Sequence, residues 1–209
     1  VKRRMSRDNI IVLKSINYSE ADKVLTVFGK HMGKFTLFAK GIRKINSKNR
    51  GNIQTLNMCD ISFYEGKGLP VLTESQLMYC ANTDILKDRI VDIKRVLDVL
   101  NRILQENDPN ERVFNMLESV CKKNFDIESV NRFRIIFLKE MGYLGDFSSC
   151  SICESKDGLE YIDLRTFALL CKNCYSKKRK GTKVRINPYI EKSFTEALDR
   201  YIKKVIEEI

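Results

Sequence analysis

The sequence predicts an α+β chain: an N-terminal five-stranded OB-fold barrel, then an α-helical domain with a four-cysteine zinc ribbon inserted into it. Three observations carry this. Short β-branched and aromatic runs recur before residue 80, a helical period replaces them after residue 82, and two Cys-x2-Cys pairs interrupt the helical part. At 209 residues and 43% hydrophobic, the chain can bury a sizeable core and form one or two domains.

The strands come first. Ile10-Ile11-Val12-Leu13, Val24-Leu25-Thr26-Val27-Phe28, Phe35-Thr36-Leu37-Phe38-Ala39, residues 58–64 and Val71-Leu72-Thr73 are separated by turn material such as residues 29–33 and Glu65-Gly66-Lys67-Gly68. The longest interruption, residues 40–52, falls between the third and fourth strands, where a five-stranded Greek-key barrel places a connecting helix or loop.

Helices follow. Ile85, Leu86, Ile90, Ile93, Val96, Leu97, Leu100, Ile103 and Leu104 make one apolar stripe, with Thr83 placed to cap a helix of about 20 residues. Asp108-Pro109-Asn110-Glu111 reads as an N-cap acid, a proline at the first helical position and a capping-box glutamate, before Val113, Phe114, Met116, Leu117, Val120 and Cys121. A third helix begins at Asp126 and runs to about Gly142. A fourth opens at Asn187-Pro188, with Ile190, Phe194, Leu198, Tyr201, Ile202, Val205 and Ile209 on one side. The middle and C-terminal helices are expected to pack together, giving four parts: 1–80, 81–145, an insertion at 146–186, and a C-terminal helix at 187–209.

The N-terminus is basic but lacks an apolar h-region and a small-residue cleavage site, and no apolar run reaches the roughly 18 residues of a membrane span. A cytoplasmic protein with no membrane partner is expected. In that reducing setting seven cysteines argue against a disulfide framework. Cys150-x2-Cys153 and Cys171-x2-Cys174, with 17 residues between the pairs, can place four thiolates about one tetrahedral zinc. Four sulfurs leave no open position, so such a zinc would be structural; a redox dithiol or an iron–sulfur centre would use the same residue type. Cys59, Cys80 and Cys121 lie in apolar patterns and read as small hydrophobes.

Charge is uneven. Residues 1–50 carry 13 lysines and arginines against 3 acids, residues 51–145 carry 12 against 14, and residues 146–209 carry 13 against 10. With a net charge of +11 concentrated in the first quarter, the chain is suited to meet a polyanion, nucleic acid before an acidic membrane surface. The stretch from Lys40 through Arg43, Lys44, Lys48 and Arg50 has no acid. A charge run is usually only a solvated face, but beside an OB barrel it can line a groove for single strands, with Phe28, Phe35, Phe38 and Tyr64 available either to stack on bases or to fill the barrel. A second acid-free run holds Lys172, Lys177, Lys178, Arg179, Lys180, Lys183 and Arg185.

Much enzymology is excluded. His31 is the one histidine, so no Ser-His-Asp set or H-E-x-x-H pair can be assembled, and residues 29–34 miss the phosphate-loop spacing. A metal-dependent nuclease would need clustered carboxylates, and the basic first fifty residues hold only Asp8, Glu20 and Asp22. A zinc-ribbon RNA-binding or transcription accessory protein would share the charge and the cysteines.

Two stretches decide between these classes. Tyr18-Ser19-Glu20-Ala21-Asp22-Lys23 before Val24-Leu25-Thr26-Val27-Phe28, then Gly33-Lys34 and Ala39-Lys40-Gly41-Ile42-Arg43-Lys44, resembles the N-terminal signature of the RecO family of bacterial DNA repair and recombination mediators. Independently, Leu138, Gly142-Tyr143, Asp146-Phe147 and the two cysteine pairs resemble the end of that family's helical domain and its zinc module. The resemblance implies a non-enzymatic protein with one structural zinc that binds single- and double-stranded DNA and anneals strands. It also implies partnership with RecR and with the C-terminal tail of the single-strand-binding protein SSB, and so, indirectly, help in loading RecA. By analogy Lys34, Lys40, Arg43 and Lys44 are the DNA contacts, while Lys48 and Arg50 rest on charge alone. Arg102, Arg132 and Arg134 are candidate cations for the SSB tail, beside Leu104, Phe133 or Phe137, or else they pair with acids such as Asp98 and Glu128.

Overall fold

The computed structural model describes residues 4–80, 87–145, 147–177, 183–185 and 192–209. Contacts divide the chain into two compact units, Val1–Ile93 with Leu104–Asn124, and Lys94–Ile103 with Phe125–Ile209.

In the first unit, β1 (Arg4–Asn17), β2 (Lys23–Gly29), β3 (Gly33–Ala39), β4 (Met58–Glu65) and β5 (Val71–Tyr79) close a barrel in the order β1-β2-β3-β5-β4. β1 is long because it serves two neighbours. Its first half pairs with β4 and its second with β2, both antiparallel, and a register shift between Val12 and Lys14 lets the strand bend from one to the other. The barrel closes where β3 meets β5 in parallel at Phe38 and Val71, with the Phe38 N–H donating to the Pro70 carbonyl at 2.8 Å. Ile10, Val12, Leu25, Val27, Phe35, Leu37, Ile61 and Phe63 alternate inward and are buried, with the Phe35 and Phe63 rings 5.5 Å apart.

The helices divide between the units. α1 (Ile90–Ile103) lies within the first predicted helix; Thr83 lies outside the described residues. α2 (Glu111–Lys122) packs on the barrel: Phe114 meets Phe28 at 5.8 Å and the Tyr79 hydroxyl donates to the Cys121 carbonyl at 3.2 Å. Its cap is Asn110, whose side chain accepts from the Val113 N–H, so Asp108 is not the cap. The reason lies in β3. Gly33 has φ +73°, and a Cβ there would lie 2.4 Å from the Asp108 backbone, so Asp108 is held in the chain that crosses Gly33.

In the second unit α3 (Ile127–Glu140) starts at Asp126, which accepts from the Ser129 N–H as the sequence predicts. Then come β6 (Leu159–Asp163), β7 (Leu169–Cys171), α4 (Lys172–Lys177) and β8 (Lys183–Arg185), with sheet order β7-β6-β8, and finally α5 (Lys192–Glu208). The predicted helix start at Asn187-Pro188 lies outside the described residues. α3 and α5 do pack together: Asn131 donates to the Thr195 hydroxyl at 2.7 Å, and Arg134 pairs with Asp199. Arg95 of α1 reaches the same Asp199 at 3.0 Å. Phe167 packs against Phe194 and Tyr201, rings 5.6 and 5.2 Å away. Among the described residues no helix is long and apolar enough to cross a membrane.

Candidate nucleic-acid interface and metal centre

The connection from β3 to β4 carries the basic run and is an ordered chain of turns. Lys44, Ser47 and Arg50 donate their N–H groups in succession to the carbonyls of Gly41, Lys44 and Ser47 at 3.0–3.3 Å. Gly41, at φ +66°, begins it. Three buried apolar residues, Ile42, Ile53 and Leu56, pin the inner side. Two asparagines staple the outer side to β5: Asn49 accepts from the Ser75 N–H at 3.0 Å, and Asn52 donates to the Ser75 carbonyl at 2.8 Å. With the backbone and the small side chains so occupied, Lys40, Arg43, Lys44, Lys48 and Arg50 are all left exposed.

The turn after β1 holds this connection in place. Asp22 accepts the Gly41 N–H at 2.7 Å, the Ala21 carbonyl accepts the Arg43 N–H at 2.9 Å, and the Arg43 guanidinium donates to the Ser19 carbonyl at 2.8 Å. The Gly41 hydrogen bond, helped by Ser19 and the charges of Lys40 and Lys44, holds the Asp22 carboxyl below its usual range. Residues 18–23 and 39–44, distant in sequence, therefore form one local structure. Lys23, Arg43 and Arg50 converge with Glu20 on a recess of about 310 Å³, which adds Lys23 to the cations read from the sequence.

Lys34 sits elsewhere. It is 8% exposed, its carbonyl accepts the Asn107 N–H at 2.8 Å, and burial draws its ammonium below the usual value against the pull of Glu106. Of the aromatic candidates, Phe28 and Phe35 are buried, Phe38 is half-buried, and Tyr64 is exposed.

The four cysteines of the two pairs come together, their sulfurs all within 4.8 Å of one another. Cys153 and Cys171 are 3.7 Å apart, close to the edge of about 3.8 Å that a tetrahedron of thiolates has at a metal–sulfur distance of about 2.3 Å. Local backbone makes the two turns: the Glu154 N–H donates to the Cys150 carbonyl at 2.8 Å, with Glu154 at φ +59°, and the Cys174 N–H points at the Cys171 sulfur at 3.4 Å. Burial pushes the Cys150 thiol up, but backbone hydrogen bonds from Cys171, Cys153 and Ile152 outweigh it and bring it to about 6. Cys174 is pushed up to about 12, first by its hydrogen bond with Cys153, then by burial and the other two sulfurs. Four thiols so crowded cannot all ionise unless a cation joins them, so the donor set fits a bound metal. Cys59 and Cys121 are buried, and burial raises both thiols to about 12. Cys80, expected in an apolar setting, is exposed just past the end of β5.

Arg132 pairs with Glu128 at 2.9 Å on an exposed face of α3, and Arg102 is exposed in the last turn of α1. Arg134, 2% exposed and bound to Asp199 and Asn131, belongs to the packing of α3 on α5. In the second basic run Lys172 and Lys177 are exposed, and Lys178, Arg179 and Lys180 lie outside the described residues.

Two family models match the chain in order: Recombination protein O N terminal over residues 4–80 and Recombination protein O C terminal over residues 93–187. A DNA repair protein RecO from Thermodesulfovibrio yellowstonii is 31% identical over 173 residues, 79% of this chain and 68% of that protein. Those of Syntrophomonas wolfei and Acetivibrio thermocellus are 27% and 28% identical, covering 80% and 83% of this chain and 69% and 72% of theirs. The barrel with its basic connection lies in the first match and all four clustered cysteines in the second, and the chain belongs to the RecO family of DNA repair proteins.

Proposed function

We propose that the chain is a recombination mediator that works by holding DNA and makes or breaks no bond. It binds single and double strands, anneals complementary ones and, with RecR, helps load RecA on SSB-coated DNA in the cytoplasm. The observation that carries this reading is the ordered connection whose five cations face solvent beside an OB-like barrel. Annealing needs no more chemistry than this: cations offset the repulsion between two phosphate backbones, and release of counterions favours the assembled state. Lys40, Arg43, Lys44, Lys48 and Arg50 are the contacts, with Lys34 bracing the start of β3.

Cys150, Cys153, Cys171 and Cys174 would hold one structural zinc, which closes the small core of Leu170, Leu159 and Tyr161 around it. Of the three arginines read for the SSB tail, the exposed Arg102 and Arg132 are the ones able to meet its carboxylate, and the buried Arg134 serves the packing of α3 on α5. The working parts on this reading are 1–80 for DNA, 81–145 and 187–209 for partners, and 146–186 for the metal. A fluorescence strand-annealing assay without ATP, run with and without SSB, tests it. Annealing above the protein-free rate in both settings is expected, and none in either would overturn the mediator reading.

A further inference from the structure

The barrel carries an apolar row on its outer face that its core does not use. The register aligns Val24 with Phe38, Phe38 with Val71, Val71 with Tyr64, and Tyr64 with Met5, so five non-polar side chains cross β2, β3, β5, β4 and β1 at one level. Their strand neighbours Leu25, Leu37, Leu72 and Phe63 point into the core, so by alternation the row faces outward. Tyr64 is 38% and Met5 54% exposed. Such a row is costly to leave in water unless something covers it.

Around Phe38, Val71 and Tyr64 the row deepens into a groove of about 360 Å³, walled by the 65–70 hairpin with Lys67 and Leu69, and by Lys40 at the end of β3. Tyr18, 71% exposed in the turn between β1 and β2, sets its ring edge-on to Phe38 at 5.6 Å. The groove thus lies between the β1–β2 turn and the β4–β5 hairpin, the loops with which OB barrels take oligomers. Its one carboxylate, Glu65, accepts a hydrogen bond from the Ser6 hydroxyl.

We infer that this groove is a subsite for one unpaired nucleobase of a DNA strand, stacked against Tyr64 and Phe38, with Lys40 and Lys67 on the flanking phosphates. The inference rests on the DNA-binding reading above and adds a strand preference to it. A flat apolar floor rimmed by ammonium groups matches a base with its backbone, and Lys40 makes the groove continuous with the cations of residues 40–50. A base stacked within a duplex hides its faces, so the groove accepts only single strands.

The test compares the affinity of the full chain for an oligothymidylate, for an abasic strand of equal length, and for a duplex. Stacking of one base predicts tighter binding of the thymidylate than the abasic strand by about 5- to 150-fold. Tyr64→Ala should remove most of that gap and leave duplex affinity unchanged, while Tyr64→Phe, which keeps the ring, should retain it. Lys67→Ala should weaken thymidylate and abasic strands alike. Equal affinity for these two strands would overturn the base subsite and leave the DNA reading standing. Failure of the unmodified chain to bind any strand would overturn both.

Discussion

The basic connection of the barrel and the cysteine module hold their shape by different means. Residues 40–57 are fixed by backbone turns, by Asp22, Asn49 and Asn52, and by Ile42, Ile53 and Leu56 sunk beneath them. The module from 150 to 174 gathers Cys150, Leu170, Cys171 and Cys174 with Leu159 and Tyr161 against them, while its Phe167 packs on Phe194 and Tyr201. On the proposed reading the four sulfurs add to this packing through a shared ion, whose binding offsets part of the chain entropy lost on ordering. The lesson is that cations can be presented by a protein's own hydrogen bonds, whereas four crowded thiols are suited to a shared ion.

The largest effect expected from this contrast is on metal loss. Structural zinc contributes roughly 10–16 kcal/mol in small peptide modules, so chelation or Cys171→Ser should open residues 147–177 to protease while the barrel stays protected. Metal analysis of protein purified without chelator should find one zinc per chain. Equal protection of the module with and without metal would remove the distinction between the two regions.

A smaller effect is expected where the barrel's order depends on close backbone approach. Gly33→Ala combines a left-handed residue, costing about 1–2 kcal/mol, with a Cβ driven into the Asp108 backbone. Urea unfolding should therefore show a loss of at least about 2 kcal/mol, and an unchanged midpoint would mean that residues 106–108 do not cross β3 as described. The smallest effect is on Asp22. Its carboxyl titrates below the usual range because Gly41 donates to the charged form, so its contribution is complete above the ordinary aspartate value. It is lost as the pH falls through the lowered one. Hydrogen exchange at Gly41 and Arg43 should quicken only in that acid window; Asp22→Ala should quicken it at neutral pH, and no change in the variant would release Asp22 from its anchoring role.

What the sequence made legible was what local pattern controls. β-branched and aromatic runs between turns marked the five barrel strands, and the Cys-x2-Cys spacing marked all four clustered thiols, because each depends on neighbours within a few residues. Three features depended on distant chain and were not legible. Lys34 looks like an outward lysine on β3 until residues 106–108 cover it. Asp108 and Asn110 are equally good caps by residue type, and the close pass over Gly33 decides between them. Arg134 lies on a helix stripe that α5 buries by offering Asp199. Lys23 did carry a local signal, since it adjoins the Asp22 that fastens the basic connection.

The central claim is that residues 40–50 hold DNA through its phosphates, and the salt dependence of single-strand affinity tests it most directly. For Lys40→Ala, Arg43→Ala and Lys44→Ala combined, the slope of log K against log salt should flatten by roughly 2, about 0.7 for each lost contact, whatever the strand's sequence. An unchanged slope with weakened or intact binding would contradict the account and move the phosphate contacts to another face of the protein.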